Sequence, residues 1–184
     1  DPRRTLDGGF CFLRSFVVFS RKMTEMDAAL RILLVSPYAW HIPGGVNVHV
    51  AQVALSLRRR GHFVAIAAPG ERGTDLPNDI LFYTLGPTKA WNANGAAANL
   101  ALSMGAVKAI RRSVRDFAPT LVHIHEPLAP LANYPLLWQS AVPVVGTFHA
   151  YYPENPFYRW VTPLARLLPR RLKAVIAVSS AAEA

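Results

Sequence analysis

Cysteine is nearly absent from this chain: Cys11 is the only one among 184 residues. No intrachain disulfide can form, and a reducing, cytoplasmic setting is the simpler expectation. Long apolar runs are absent too. The stretch from Gly8 to Phe19 is interrupted by Arg14 and is too short to cross a bilayer. Its basic flanks resemble those of a signal peptide, yet no convincing small-residue cleavage site follows. Neither a G-x-S-x-G nucleophile elbow nor a G-x-G-x-x-G dinucleotide fingerprint occurs. Acidic residues are few, with 11 Asp and Glu against 20 Lys and Arg, for a formal net charge of +9. Residues 27–184 hold 15 of the basic and 8 of the acidic side chains, so the excess lies in the main body of the chain. Such a balance asks for an anionic partner. No RNA- or DNA-binding motif accompanies it, so nucleic acid is not expected.

Two regions separate on composition. Residues 1–26 read as a disordered leader or a mis-called N-terminal extension, with Met23 or Met26 the more natural start. Residues 27–184 have the length of one ordinary domain, enough to bury a core of its own.

The most informative stretch runs from Arg31 to Val50. Ile32, Leu33, Leu34 and Val35 form a short continuous apolar run, suited to a strand buried on both faces of a parallel sheet. Pro37 and Pro43 bracket a loop, and Val46, Val50, Val53, Ala54 and Leu57 then recur at helical spacing until Gly61 stops the helix. Gly44 and Gly45 sit where loop becomes helix. Without Cβ atoms they let a ligand approach the backbone, and the free N–H groups of the helix start favour an anion such as a diphosphate. A pair of glycines before a helix is by itself compatible with a plain turn and cap. Tyr38, Trp40, His41, Asn47 and His49 crowd polar and aromatic groups around this one, which a purely structural loop does not need.

Further strands are expected at His62–Ala68, Ile80–Leu85, Thr120–His125, Pro143–Phe148 and Ala174–Ser179, with a helix over Ala96–Phe117. Strands alternating with helices imply an α/β fold with a Rossmann-like, doubly wound parallel sheet. Ligands of such sheets collect beyond the carboxyl ends of the strands. Tyr38 to Gly45, His125-Glu126-Pro127 and His149 to Tyr152 all fall on that rim.

Single residues admit plain readings as well. His149 could be a strand-end histidine bonded to backbone. His123 and His125, two apart on a strand, share a face, but no third ligand has convincing spacing, so no metal is expected. Glu126 precedes a proline expected to start a helix, where a carboxylate caps or is solvated. Neither Asp116 nor Glu154 is placed opposite it by any motif, so a paired-carboxylate hydrolase is disfavoured. In the long helix, Val107, Ile110, Val114 and Phe117 form an apolar stripe, and Lys108, Arg111, Arg112 and Arg115 occupy much of the remainder. Such a helix either covers the sheet with its outer face solvated or lies on an anionic membrane. Arg166, Arg170, Arg171 and Lys173, with Tyr151, Tyr152, Phe157, Tyr158 and Trp160, form a second basic and aromatic group that could meet headgroups or another domain.

Five motifs in order resemble one family. Val35-Ser-Pro-Tyr38 with Pro43-Gly-Gly-Val46 and His49-Val50, then Leu57-x-x-Arg-Gly-His-x-Val64, His123-Ile-His-Glu-Pro127, Val145-x-Thr-Phe-His149 and Ile176-Ala-Val-Ser179 look like the N-terminal half of a family-4 glycosyltransferase. Within that family the likeness is to the phosphatidylinositol mannosyltransferases. It implies one half of a two-domain GT-B architecture. The active site would lie between the halves, and a hexose such as mannose would pass from a nucleotide-diphosphate sugar, GDP-mannose being one candidate, to a lipid or glycan hydroxyl with retention. Under this resemblance His149 contacts the transferred sugar and Gly44 and Gly45 the donor diphosphate. Tyr38, His41, Asn47, His125 and Glu126 form the acceptor side. No cofactor is implied beyond the nucleotide sugar. The paired glutamates that grip the donor in the family's second domain have no counterpart here, so the chain is expected to lack that C-terminal domain. The expected location is the cytoplasm, peripheral at the inner face of the plasma membrane. The competing possibilities are a non-catalytic phosphate-binding or membrane-surface module, or an inactive truncated fragment.

Overall fold

The computed structural model describes residues 28–74, 76–93, 96–100, 103–129, 133–149 and 171–178. Six strands make one sheet: β1 (Arg31–Val35), β2 (Phe63–Ala68), β3 (Leu81–Thr84), β6 (Leu121–His125), β7 (Val144–Phe148) and β8 (Ala174–Ala177). Their spatial order is β3-β2-β1-β6-β7-β8, with every pairing parallel. The order runs outward in both directions from β1, so the chain reverses its direction of travel between β1 and β6. This is the doubly wound, Rossmann-like arrangement expected, and the reversal opens a crevice at the carboxyl ends of those two strands.

Successive side chains of a strand face opposite sides, and both sides here are covered. Ile32, Leu34, Val64, Ile66 and Ala68 meet Val50 and Ala54 of α1 (Gly45–Arg59) in one apolar cluster. Leu33, Val35, Ala65, Ala67, Val122 and Ile124 meet Ala106, Ile110 and Phe117 of α2 (Met104–Phe117), with Leu136 and Leu137 of α3 (Tyr134–Gln139), in the other. Each fully buried Val, Leu or Ile contributes about 1.5–3 kcal/mol. On β6 the pattern changes: Val122 and Ile124 enter the α2 cluster, while the alternate positions on the α1 side are His123 and His125, both buried.

The helix ends follow local chemistry. Ser103 caps α2 by accepting from the Ala106 N–H at 3.1 Å. At the other end Ala118 takes a left-handed conformation, and the Arg31 guanidinium donates to the Phe117 carbonyl while lying 4.7 Å from its ring. Gly61, at φ +86°, turns the chain after α1.

Two local expectations are corrected. Ala96–Phe117 is not one helix: β4 (Lys89–Ala93) and β5 (Ala96–Leu100) pair antiparallel, Ala93 opposite Ala96, and α2 begins only at Met104. Alanine's helix propensity gave way there to pairing with the preceding segment. Pro127 starts no helix either. It lies in a turn, and the next helix begins at Tyr134. The apolar stripe of α2 is directed into the core, and Lys108, Arg111, Arg112 and Arg115 are exposed. Residues 1–26 with Cys11, Tyr151, Tyr152, Glu154, Phe157, Tyr158, Trp160, Arg166, Arg170 and Ser179 lie outside the described residues. Among the described residues, no helix is long and apolar enough to cross a membrane.

Candidate functional site

The loop after β1 is tied down at several points. Ser36 continues the sheet, its N–H donating to the Ala67 carbonyl at 3.0 Å. Asn47 is buried, and its amide donates to the Ala39 carbonyl at 2.8 Å and the Ile42 carbonyl at 3.3 Å, while its oxygen accepts from the Ser36 hydroxyl at 3.0 Å. Trp40 is buried against Phe82, its backbone N–H donating to the Pro69 carbonyl at 2.8 Å. One asparagine thus fixes the loop to the first turn of α1. Asn47, expected on the acceptor side, shapes the loop from beneath with all of its amide engaged.

Above it the backbone is open. Gly44 and Gly45 are exposed, and a Cβ on either would meet nothing within 4 Å. Gly44 has φ −168°, extended backbone that any residue adopts. Neither glycine is therefore required by turn geometry or by packing within the described residues. No side chain caps the helix start, and the first turn carries no acidic residue. Its N–H groups and the positive end of the helix dipole face outward from this point.

His49 lies one turn into α1, about 6 Å along the axis from Gly45. Its ring sits edge-on to His149 with centroids 5.0 Å apart and to His125 at 5.7 Å. His125, at the carboxyl end of β6, stacks on His123 at 4.4 Å and on His149, just past β7, at 5.2 Å. Its Nδ1 lies 2.9 Å from His149 Nε2, and His123 Nε2 lies 2.7 Å from the Thr147 hydroxyl. The register pairs His123 with Val145 and His125 with Thr147, so the four polar side chains His123, His125, Thr147 and His149 share one face of adjacent strands. Three elements, α1, β6 and β7, bring their histidines together at the crevice.

Burial decides the charge state. It holds the His125 imidazole at a pKa of about 2, with His123, His149 and His49 nearby adding to the same direction. Burial first, then the neighbouring histidines, lowers His123 to about 4, and burial with His49 lowers His149 to about 4. These three rings are neutral at physiological pH. His149 is then a hydrogen-bonding group and not a cationic acid.

Glu126 joins the two strand ends. It is buried, has φ +52°, and its Oε1 accepts from the His149 backbone N–H at 2.8 Å. Its own carbonyl accepts from the Asn133 side chain at 2.8 Å, and its N–H donates to the Thr147 carbonyl at 2.8 Å. Its carboxylate thus sets where the chain leaves β7, and with it where His149 stands.

Of the expected site residues, His149 and His125 are in contact, Glu126 holds them, and Gly44 and Gly45 lie one helical turn from His49. Tyr38 is half-buried in the same loop, its N–H 3.3 Å from the Ser36 hydroxyl. His41 goes elsewhere. Its ring packs where a Cβ on Gly70 would stand, beside the carboxyl end of β2. A cavity of about 500 Å³ opens there, lined by Gly70, Glu71, Arg72, Phe82, Thr84, Gly86 and Pro87. None of the expected site residues is among those lining it.

His49 is the residue that spacing along β6 could not supply, since it arrives from a helix. One nitrogen each from His49, His125 and His149 lie within 4.8 Å of one another, and an imidazole set of this kind suits zinc, copper or nickel. The contact between His125 and His149 already engages a nitrogen of each, and no carboxylate belongs to the group.

Comparison with known proteins bears on this crevice. The family described as Glycosyltransferase Family 4 matches residues 43–184. The phosphatidyl-myo-inositol mannosyltransferase of Propionibacterium freudenreichii subsp. shermanii is 34% identical over 163 residues, covering 83% of this chain and 42% of that protein. Its namesake from Mycolicibacterium smegmatis is 33% identical over 120 residues, 65% of this chain and 31% of that one. The chain thus spans less than half the length of these curated relatives. Among solved structures, the catalytic domain of starch synthase IV from Arabidopsis thaliana, bound to ADP and acarbose, overlaps 67% of this chain and 34% of its own. Its TM-score is 0.43 at 15% identity.

Proposed function

The chain belongs to glycosyltransferase family 4, and on that premise we propose that it forms the acceptor-side half of a two-domain GT-B enzyme. That enzyme moves a hexose, mannose in the first instance, from a nucleotide-diphosphate sugar to a hydroxyl of a lipid or glycan with retention of configuration. In that reaction the bond from the anomeric carbon to the diphosphate oxygen breaks and the nucleoside diphosphate leaves with the electron pair. The acceptor oxygen forms the new bond and gives its proton to the departing diphosphate oxygen. The protein's task is to hold the leaving diphosphate, orient the sugar and admit the acceptor, all of which are matters of positioning and charge stabilisation.

The observation that carries this reading is the proximity of an uncapped, glycine-opened helix start to a neutral histidine at the crevice of a doubly wound sheet. First-turn N–H groups at Gly44 and Gly45 suit a diphosphate. His149, neutral and half-buried, suits the hydroxyls of the sugar. Tyr38, half-buried in the same loop, would meet the acceptor, with Asn47, His125 and Glu126 holding the loop and strand ends around it. His41, against Gly70, would reach the acceptor only at the periphery of this crevice. The reading requires a second domain to hold the nucleotide; the match here covers 42% of the length of the Propionibacterium freudenreichii relative.

The exposed cationic face of α2 supports a further part of the reading, peripheral contact with an anionic membrane that presents a lipid acceptor. Because the apolar stripe of α2 is in the core, that contact would be electrostatic and would not insert the helix.

The test is transfer of radiolabelled sugar by the natural gene product. It would be offered GDP-mannose, UDP-glucose and ADP-glucose in turn, with inositol phospholipid or oligosaccharide as acceptor, and the product linkage read by NMR. Axial product from GDP-mannose is expected. Transfer from none of the donors, with the protein folded, would leave the non-catalytic binding module as the better account.

A further inference from the structure

A neutral imidazole carries one N–H and one bare nitrogen, and the partner of one nitrogen decides the state of the other. His125 is fully buried, with its Nδ1 2.9 Å from His149 Nε2 and its own Nε2 without a hydrogen-bond partner among the described residues. Only two arrangements are open to a neutral pair. If His149 Nε2 carried the proton and donated it, His125 would have to carry its own on Nε2, where a buried N–H would point at no acceptor. If His125 Nδ1 carries the proton, the unpartnered atom is a bare lone pair. Orphaned buried N–H groups are the rarer of the two in folded proteins. His149 accepts on Nε2 in this second arrangement and must hold its proton on Nδ1, an atom with no partner among the described residues.

We propose that His125 is a positioning residue. It locks His149 into the Nδ1-protonated tautomer, so that the side chain presents an N–H donor, not a lone pair, to whatever enters the crevice. Several independent contacts leave His149 little freedom to escape this. Glu126 Oε1 accepts its backbone N–H at 2.8 Å, the His49 ring stands edge-on at 5.0 Å, and the His125 ring stacks at 5.2 Å. His123, whose Nε2 is engaged by the Thr147 hydroxyl at 2.7 Å, stacks on the His125 ring at 4.4 Å. The chemical class this selects is an oxygen acceptor: a sugar hydroxyl or ring oxygen, or a diphosphate oxygen. A group that can only donate would be rejected. In assigning a role to that donor the inference rests on the glycosyltransferase reading above. The tautomer itself does not depend on it.

The experiment is nitrogen-15 NMR of the chain labelled at its six histidines, with His149 assigned by its loss in His149→Gln. One- and two-bond couplings distinguish protonated from bare ring nitrogens at pH 7. The expected spectrum of His149 has a protonated Nδ1 and a bare Nε2. The pattern should persist in His125→Asn, whose amide nitrogen is as many bonds from Cβ as Nδ1 and can still donate. It should be lost in His125→Phe, which keeps a ring but donates nothing. A proton on His149 Nε2 in the wild type, alone or shared with Nδ1, overturns the proposal. So does a His125→Phe protein that retains the wild-type pattern. Should His125→Phe not fold, the wild type and His125→Asn still decide. Because the readout needs no substrate, failure of sugar transfer would overturn the functional reading and leave this result standing.

Discussion

Folding stability should fall steeply between pH 7.5 and pH 5, because two buried histidines of the crevice must stay neutral in the native state. His125 and His123 have folded pKa values of about 2 and about 4 against an ordinary 6.5, with burial the first cause of each shift. The folded values lie below the unfolded one, so the unfolded chain takes up protons first as pH drops. Stability is complete above about pH 7. It is lost as pH falls through 6.5, and for His123 the loss levels off only near pH 4. One proton taken up on unfolding gives a slope of about 1.4 kcal/mol per pH unit. At pH 5 the unfolded form of each ring is almost fully protonated and the folded form almost fully neutral, so each costs about 2 kcal/mol relative to pH 7.5, and the pair about 4. A domain whose whole stability is of order 5–15 kcal/mol would feel that strongly. Urea denaturation at half-unit pH steps measures it, with the midpoint moving and the m-value constant. His125→Asn, which removes one titrating ring, should reduce the loss by about half. A midpoint unchanged from pH 7.5 to 5, or one that rises, would refute the claim that these rings are buried and neutral.

Other consequences concern the scaffold and the surface. Asn47→Ala leaves the Ser36 hydroxyl and two loop carbonyls without their partner, and should destabilise by about 1–3 kcal/mol in the same denaturation assay. Gly146→Ala places a Cβ 2.8 Å from both Leu172 Cδ1 and Pro127 Cγ; overpacking of about 1–3 kcal/mol should lower the melting temperature, and an unchanged one would contradict the close packing of Leu172 and Pro127 on Gly146. Lys108 and Arg111 make no ion pair among the described residues. Replacing both by Gln should therefore weaken binding to phosphatidylglycerol vesicles by about 2 kcal/mol, roughly 30-fold at low salt, and binding that is unaffected would remove α2 from any membrane contact.

Much of the sheet was legible in the sequence because its central strands are buried on both faces. Ile32 to Val35 and Val64 to Ala68 are unbroken apolar runs, and a parallel strand between two helical layers has no reason to alternate. The hairpin of β4 and β5 was missed although a signal was present: Asn94-Gly95 separates the two paired segments by the two residues that favour a tight hairpin turn. The alanines that follow masked it with their helix propensity. The candidate site was legible in part. Position beyond the strand ends marked Gly44, Gly45 and His125 as rim residues of a doubly wound sheet, and His149 stood out through the Thr147-Phe148-His149 motif. Which of them touch was not readable, because His49 reaches His149 only through the packing of α1 on the sheet. Asn47 and His41 show the converse. Both sit beside the paired glycines in sequence, yet one is consumed in holding the loop and the other turns away toward Gly70. The left-handed Glu126, which redirects the chain at the end of β6, has no signature in its residue type.

The central claim is that His149 faces the sugar in a glycosyl transfer. It is tested most directly by comparing the natural gene product with its His149→Ala variant, both shown folded by circular dichroism, in mannosyl transfer from GDP-mannose. Loss of about 100- to 1,000-fold in turnover is predicted, the scale on which a single positioned hydrogen-bonding group acts on a transition state. Turnover within a few-fold of wild type would contradict the account.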